Sequence, residues 1–295
     1  MNQTSLRPIY LSILMVLVFG CQEKQDSKEK SLRLITHNVY YGFTKIPERK
    51  QAWLSWMAEQ EPDIVSLQEL NQYTPEKLQS DANHWGHTYT LLLKEEGFPT
   101  GLTSRFPIED IHRYTEGFHH GLIRAKIKNI YLYVIHLHPS NWSFRQQEID
   151  EILKNITELP KNSQVILAGD FNTFSPVDSI FYQHRRLEPF FEGLDQRDHA
   201  NNLHNGHLDY GVIEKVLNAG LKDMEYEFRP NNYHFTGSFP SWLDTEGEHG
   251  DLRRLDYIFV SPNLLRQVQN TRIIADSSTQ YLSDHLPVIM NIDLP

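Results

Sequence analysis

The feature that most constrains the fold of this chain is a series of short apolar runs bordered by polar side chains. The runs are rich in apolar and β-branched residues, which predicts buried strands. They are Leu32–Thr36, Asp63–Leu67, Ile130–Ile135, Val165–Ala168, Leu255–Val260 and Leu286–Ile292. Rigid strands that each present one polar residue at a common edge are how α/β scaffolds assemble catalytic sites. The series therefore predicts an α/β fold with one site at the strand ends.

Two stretches with helical spacing of apolar residues lie between these predicted strands. The stretch Pro47–Gln60 ends just before Pro62. The stretch Trp142–Leu159 follows Asn141, a good N-cap residue, and ends before Pro160. A cap before the first turn and a proline after the last are typical of helix boundaries.

The composition limits both the domain count and the substrate class. With 295 residues, of which 39% are hydrophobic, the chain can form one large core. No linker-like segment interrupts residues 31–295, which predicts a single catalytic domain there. The net charge of -10 disfavours extended nucleic-acid binding, because an acidic surface repels polyphosphates. A phosphoester substrate is still compatible, since a bound divalent cation can supply positive charge locally.

The first 30 residues have the composition of an export signal and a tether. Arg7 precedes an apolar run, Ile9–Phe19, that is too short to span a bilayer, which predicts a signal peptide over residues 1–20. The segment ending at Cys21 resembles a bacterial lipobox, in which the cysteine is lipidated; ordinary secretion is the alternative. Residues 21–30 would be the lipidated cysteine and a polar tether. We expect an exported lipoprotein, anchored in the bacterial outer membrane or at the cell surface, with a periplasm-facing position as the alternative.

The most specific motif is Gly169-Asp170-Phe171-Asn172. In an extended segment Asp170 and Asn172 point the same way, while Phe171 points into the core. Gly169 would allow a close approach of the backbone. A carboxylate beside an amide can hold a hard cation, or orient a water and a phosphate oxygen. A Gly-Asp turn capped by the aspartate is the structural alternative.

The second motif places Asp284 directly before His285. Adjacent side chains diverge in a strand, so Asp284 can bind a metal while His285 faces the reacting phosphorus. A histidine base needs a third group to orient it. Asp256 opens a strand that could pair beside the last one and so reach His285. Alternatively, Asp256 is a structural carboxylate that is salt-bridged to Arg254.

Seven motifs occur in the order seen in the endonuclease/exonuclease/phosphatase superfamily, which the chain resembles from residue 31 to its end. They are Thr36-His37-Asn38, Gln68-Glu69, Thr103–Ile108, His136-Leu137, Gly169–Asn172, Arg254–Tyr257 and Ser283–His285. This superfamily contains pancreatic-type deoxyribonucleases, AP-endonucleases, neutral sphingomyelinases and inositol polyphosphate 5-phosphatases. The resemblance implies a two-sheet β-sandwich flanked by helices, a four-layer α/β fold, with one active site where both sheets end.

The resemblance also implies a metal site. Glu69 would be the main Mg²⁺ ligand, with Asn38 and Asp284 near the metal. Oxygen ligands from carboxylates and amides suit a hard cation that keeps its water, and Mn²⁺ or Ca²⁺ could replace Mg²⁺.

The remaining motif residues are implied to act on the phosphoester. Asp170 and Asn172 would hold or activate the attacking water and contact the phosphate. His285, oriented by Asp256, would act as general base or stabilise the phosphorane. His136 would steady the phosphoryl oxygens or protonate the leaving group. Metal and base together supply the charge neutralisation that attack on phosphorus requires.

Four further residues are weaker candidates for substrate contacts. His138 follows His136 with one residue between, a spacing that also opens the zinc site of amidohydrolase barrels, although it falls in the middle of this chain. His138 is otherwise a substrate contact or a surface residue. His119 and His120 lie in a polar, loop-like segment and are either substrate contacts or solvent-exposed. Arg254 is the fourth candidate.

The substrate is predicted mainly from charge. The chain has no basic stripe of the kind expected for a duplex nuclease. The segment Tyr233–Gly250 is aromatic and acidic, and it precedes Asp256, so it should overhang the active site. We therefore expect a monomeric, Mg²⁺-dependent phosphodiesterase or phosphatase that acts on a small-molecule or lipid-headgroup phosphoester. The alternatives are a secreted DNA or RNA endonuclease and a non-catalytic binding module on the same fold.

Overall fold

The structure is a computed structural model that describes residues 31–243 and 248–294. The predicted signal peptide, Cys21 and the polar tether lie outside these residues, as do Asp244 and Glu246 of the acidic loop. Within the two described ranges, no helix combines the length and the apolar character that crossing a membrane requires.

The strands form two mixed sheets of six strands each. Sheet A consists of β1 (Ser31–Asn38), β2 (Ile64–Gln68), β3 (Tyr89–Leu92), β4 (Gly101–Ser104), β11 (Val268–Ile273) and β12 (Val288–Asp293), in the order β11-β12-β1-β2-β4-β3. Sheet B consists of β5 (Glu109–Tyr114), β6 (Leu122–Ile127), β7 (Ile130–His136), β8 (Gln164–Asp170), β9 (Lys222–Asp223) and β10 (Asp256–Val260), in the order β5-β6-β7-β8-β10-β9. β1 and β2 are parallel, as are β7 and β8, and the other pairs are antiparallel.

The helices confirm both sequence-predicted segments and add several short ones. They are α1 (Lys50–Glu59), α2 (Pro75–Ala82), α3 (Trp142–Thr157), α4 (Ser179–Tyr182), α5 (Leu187–Asp198), α6 (Gly211–Asn218), α7 (Met224–Glu227) and α8 (Pro262–Leu265). Single 3₁₀ turns span Tyr41–Phe43, Pro47–Arg49, Asn83–Trp85 and Pro176–Asp178. The predicted cap is present, since the Asn141 side chain accepts the backbone N–H of Phe144 at the start of α3.

Three apolar clusters define four layers. The first lies between the sheets and joins residues such as Leu34 and Met290 of sheet A to Val134 and Ile258 of sheet B. The second packs α1 and α2 on the outer face of sheet A. The third packs α3 and α6 on the outer face of sheet B. Because each sheet buries both faces, its central strands are apolar almost throughout. The predicted helix-flanked sandwich is confirmed.

The strand ends meet at one edge of the sandwich. The parallel register places Asn38 beside Gln68 in sheet A, and His136 beside Asp170 in sheet B. Asp256, the first residue of the antiparallel strand β10, pairs with Asp170. The pattern of strands bordered by polar residues therefore does gather these residues at a shared edge.

Two local expectations at this edge are wrong. β10 does not pair with the last strand, because β10 belongs to sheet B and β12 to sheet A. Asp284 and His285 lie in a bend before β12 rather than in a strand. Asp256 and His285 therefore meet across the two sheets and not between neighbouring strands of one sheet.

Arg254 is a structural residue and not a substrate contact, which corrects the prediction for this side chain. It is fully buried, and its Nη1 and Nη2 donate to the two carboxylate oxygens of Asp223 at 2.8 and 2.6 Å. Its Nε donates to Asp178 at 2.8 Å, and Glu225 lies 3.3 Å from Nη1. The alternative pairing of Asp256 with Arg254 is also wrong, since Asp256 binds His285 instead. Arg254 thus ties the loop before β10 to the elements around β9.

Replacement of Arg254 by methionine should strongly destabilise the protein. The change leaves the buried carboxylates of Asp178 and Asp223 without their shared cation, which typically costs about 3–5 kcal/mol. Equilibrium unfolding in urea would measure this loss. Arg197→Met is the matched control, because the Arg197 pair with Asp198 is exposed and its loss should leave the unfolding midpoint nearly unchanged. A loss below about 1 kcal/mol for Arg254→Met would contradict the structural role.

Candidate active site

A cavity of about 280 Å³ opens at the edge where the strand ends meet. Six of the eight residues that were predicted for catalysis or metal binding line it directly: Glu69, His136, Asp170, Asn172, Asp284 and His285. The other two lie immediately behind this lining. Asn38 donates to Glu69 and Asp170, and Asp256 accepts from His285. The structure therefore brings all eight together, and their individual roles stay predictions.

His285 and Asp256 form a buried hydrogen-bonded pair. Nδ1 of His285 donates to Oδ2 of Asp256 at 2.8 Å, and Nε2 lies 3.7 Å from Oδ2 of Asp170. Burial alone would lower the pKa of His285, but Asp256, Asp170 and Asp284 outweigh it and raise that pKa to about 10. The imidazole is thus oriented by one carboxylate and directs its second nitrogen towards another.

His37 holds the backbone of His285 from behind. Nδ1 of His37 accepts the indole N–H of Trp53 at 3.0 Å, so its Nε2 carries the proton and donates to the His285 carbonyl at 3.1 Å. Burial lowers the pKa of His37 to about 4, which keeps this ring neutral. His37 lies within the first motif, but its role could not be predicted from the sequence, because nothing in the motif indicates that the side chain faces away from the cavity.

Glu69 and Asp284 present carboxylate oxygens from the sheet A side, and Asn38 supports them from behind. Nδ2 of Asn38 donates to Oε1 of Glu69 at 3.1 Å, and the backbone N–H of Tyr41 donates to Oε2 of Glu69 at 2.8 Å. Burial raises the pKa of Asp284 to about 7, and the nearby charge of Glu69 adds to this rise. Carboxylates that are buried and crowded in this way suit a divalent cation, which would neutralise them. The residues present therefore fit a metal.

Asp170 and Asn172 line the cavity, but not as neighbours in an extended strand. β8 ends at Asp170, and Asn172 has a left-handed backbone with φ of 50°. Its N–H donates to Oδ1 of Asp170 at 2.9 Å, so the capped turn that was the structural alternative is present. Phe171 is in the core as predicted. Burial raises the pKa of Asp170 to about 7, with repulsion from Asp256 contributing.

Gly169 permits the close strand contact that positions Asp170. Its φ is 142°, and a Cβ atom built on it would lie 2.1 Å from the carbonyl oxygen of Ile135 on β7. The predicted close approach of the backbone is confirmed, because only glycine leaves room for that carbonyl.

Three of the histidines form one wall of the cavity. The rings of His120 and His136 stack with centroids 4.0 Å apart, and His119 packs at 4.4 Å from His120. Nε2 of His136 lies 3.6 Å from Oδ2 of Asp170. Burial lowers the pKa of His136 far below its usual value and that of His120 to about 3, so both rings are neutral. His119 and His120 both line the cavity, although only His120 is buried and His119 stays exposed to solvent.

His138 is placed behind this wall and is not part of the cavity lining. Its ring packs on His119 with centroids 3.9 Å apart, and its Nδ1 accepts the backbone N–H of Ser140 at 3.1 Å. The buried carboxylate of Glu148 accepts the backbone N–H groups of His119 and His138, each at 2.8 Å. The prediction of a direct substrate contact for His138 is thus not met by this geometry, whereas Glu148 fixes both histidine segments in place.

Aromatic side chains that were not predicted as site residues complete the lining. Tyr40, Tyr41 and Phe98 lie on one side, and Phe174 and Phe191 on another. From the sequence, only the closeness of Tyr40 and Tyr41 to Asn38 could have indicated that these two tyrosines line the cavity.

The aromatic loop does overhang the cavity as expected, through its described residues Phe239 and His249. The Phe239 ring lies 4.5 Å from that of His285. Trp242 of the same loop instead packs against Tyr281 at the surface.

Comparisons with known proteins agree with this geometry. The model of the endonuclease/exonuclease/phosphatase family matches residues 35–285. An exodeoxyribonuclease of Bacillus subtilis is 24% identical over 274 residues, which cover 89% of this chain and all of that protein. An AP endonuclease structure from Archaeoglobus fulgidus has a TM-score of 0.67 at 20% identity, and a 3'-5' exonuclease structure from Neisseria meningitidis has a TM-score of 0.63 at 17% identity. Each match covers 89% of this chain and all of the other chain.

The two structural matches reproduce the helix-flanked pair of sheets, and the family model spans the motifs from β1 to His285. The chain therefore belongs to the endonuclease/exonuclease/phosphatase family of phosphoester hydrolases.

Proposed function

We propose that this protein is a Mg²⁺-dependent phosphodiesterase or phosphatase that acts on a small-molecule or lipid-headgroup phosphoester. The observation that carries the proposal is the shared cavity. An oriented histidine, His285, and a second carboxylate, Asp170, face the same space as the oxygen ligands Glu69 and Asp284. Phosphoester hydrolysis needs these elements together, because attack on phosphorus requires both an activated water and charge neutralisation.

The protonation states of His285 and Asp170 suggest different roles for the two side chains. With its pKa raised to about 10, His285 is an imidazolium at neutral pH, so its Nε2–H can stabilise charge on phosphoryl oxygens. Asp170, with a pKa of about 7, is the adjacent group that can accept a proton from the attacking water. Asn172 holds Asp170 through its backbone N–H. When bound by Asn38, Glu69 and Asp284, Mg²⁺ would act as a Lewis acid on the phosphoryl group.

The size and lining of the cavity support a small substrate. A volume of about 280 Å³ suits a single headgroup or monomer unit better than a duplex backbone. Its described lining includes six Tyr and Phe residues and the neutral imidazoles of His120 and His136, and Arg145 and Arg253 are the two arginine or lysine residues among them. Duplex-binding surfaces instead carry several exposed Lys and Arg residues for phosphate contacts.

A nuclease activity is the second candidate, favoured by one specific observation. The match to the Bacillus subtilis exodeoxyribonuclease runs over that protein's whole length. A single terminal nucleotide is also small enough to be compatible with a narrow cavity. A non-catalytic binding module is less well supported, because the hydrogen-bonded pair of His285 and Asp256 is intact.

Replacement of His285 by asparagine should abolish most of the activity and retain the fold. The asparagine amide can still donate to Asp256, but the position of Nε2 is lost. We expect kcat to fall by about 10²- to 10⁴-fold, the usual contribution of a positioned acid or base. Steady-state hydrolysis of bis-p-nitrophenyl phosphate and a thermal melt would test this. His84→Asn at an exposed position is the control, and near-normal turnover of His285→Asn would refute the assignment.

Replacement of Glu69 by glutamine should weaken the dependence on Mg²⁺. The amide oxygen of glutamine can still accept one hydrogen bond, either from the Tyr41 backbone N–H or from Nδ2 of Asn38. The substitution removes a negative charge from the proposed ligand set. The Mg²⁺ concentration for half-maximal activity should rise at least about tenfold. Glu116→Gln, at an exposed residue, should leave the titration unchanged. An identical Mg²⁺ titration for Glu69→Gln would place the metal elsewhere.

A substrate panel would decide between the candidate functions. Plasmid DNA, linear DNA, sphingomyelin, bis-p-nitrophenyl phosphate and inositol or sugar phosphates would each be incubated with Mg²⁺ and with EDTA. We expect Mg²⁺-dependent turnover of a small or headgroup phosphoester and intact plasmid. Preferential cleavage of either DNA substrate would favour the nuclease, and no hydrolysis of any compound would favour the binding module.

A further inference from the structure

Arg145 is a buried cation in the cavity wall to which the functional assignment gives no role. It lies in the first turn of α3, its side chain is only 2% exposed, and it lines the cavity from the sheet B side. Glu69 and Asp284 line the same cavity from loops of sheet A.

The guanidinium of Arg145 has few partners for a buried charge. Nη1 donates to the backbone carbonyl of His138 at 3.0 Å, and Nε is buried without a hydrogen-bond partner. Among the residues in the described ranges, no carboxylate lies within 4.0 Å of it.

The carboxylates around Arg145 are engaged with other donors. Glu148 accepts the backbone N–H groups of two histidines. Asp209 accepts from the side-chain amide of Gln146 at 3.0 and 3.3 Å. Asp195 accepts from the backbone and the side chain of Asn202. These acids act on Arg145 only at longer range, so none of them forms an ion pair with it.

Arg254 provides a contrast with Arg145. Both arginines are buried, but Arg254 is surrounded by Asp178, Asp223 and Glu225 at ion-pair distance. Burial lowers the pKa of Arg145 to about 10, which still leaves the group charged at neutral pH. A buried charge without an ionic partner is costly, and such a cation in a cavity wall is best compensated by an anionic ligand.

We propose that Arg145 binds the non-bridging oxygens of the phosphoryl group, in the substrate and in the phosphate product. Arginine is suited to this because its planar donors match two phosphate oxygens at once. His120 offers a second group in the same cavity, since its buried Nε2 also lacks a partner among the described residues. This inference rests on the proposed phosphoester activity and adds the residue that recognises the anion.

Binding of inorganic phosphate to the metal-free protein tests the inference without any turnover. Thermal melts would be recorded in EDTA, with and without phosphate, for the wild type, Arg145→Met, Arg145→Lys and the control Arg124→Met. Arg124 is a partly buried arginine of β6 that contacts Asn155 and Asp110, away from the cavity. Phosphate should raise Tm by about 2 °C or more in the wild type and in Arg124→Met. The rise should disappear in Arg145→Met and be reduced in Arg145→Lys.

Two further readouts separate anion binding from a structural role. Without phosphate, Arg145→Met should melt close to the wild type, because it removes an unpaired charge rather than an ion pair. Its KM for the phosphoester should rise about 10- to 100-fold, as expected for loss of charge-assisted hydrogen bonds, and Arg145→Lys should recover part of this loss.

Several outcomes would overturn the inference. These are no effect of phosphate on the wild type, an equal effect on Arg145→Met, or a phosphate-free Arg145→Met that fails to fold or melts several degrees lower. The phosphate shift requires no catalysis, so it can support the role of Arg145 even if no hydrolysis is found. Conversely, hydrolysis with an unchanged KM in Arg145→Met would support the enzyme and refute the role of Arg145.

Discussion

The hydrogen bond from His285 to Asp256 joins the two sheets at the edge where the active site lies. His285 comes from the bend before a sheet A strand, and Asp256 opens a strand of sheet B. The remaining site residues lie around this contact. Asn38 bridges Glu69 on the sheet A side to Asp170 on the sheet B side, which provides a second link. The distances between the site residues therefore depend on how one sheet packs against the other. The apolar core between the sheets fixes that packing.

Burial determines the electrostatics of this junction. Asp170, Asp256 and Asp284 are almost fully buried and share a single imidazolium, His285. Burial disfavours the ionised form of Asp170 and of Asp284, and it raises the pKa of each to about 7. The negative charges outnumber the positive one, and this imbalance is the physical basis for proposing a divalent cation. Arg145, a positive charge without an ion pair among the described residues, makes its part of the cavity wall attractive to an anion instead.

The sequence was sufficient to predict the layers and the site members, and insufficient to predict the contacts between them. Apolar runs, helix caps and the order of the motifs predicted the two sheets, α1 and α3. They also predicted the eight residues that meet at the cavity. The pairing of β10 was mispredicted because periodicity contains no information on which sheet a strand joins. Arg254 was predicted wrongly because arginine is used both in buried ion pairs and in substrate contacts, and the sequence does not distinguish the two. The histidine wall and Arg145 depend on burial and orientation, which no local pattern encodes.

The chain of contacts from Trp53 through His37 to His285 links the outermost layer to the reacting group. Trp53 belongs to α1, which covers the far side of sheet A, and its indole fixes which nitrogen of His37 carries the proton. That proton in turn holds the carbonyl of His285. A helix on the outer face of sheet A thus contributes to holding the backbone of the residue whose imidazole faces the cavity. Changes in how α1 packs could tune turnover in related chains while every residue of the cavity stays the same.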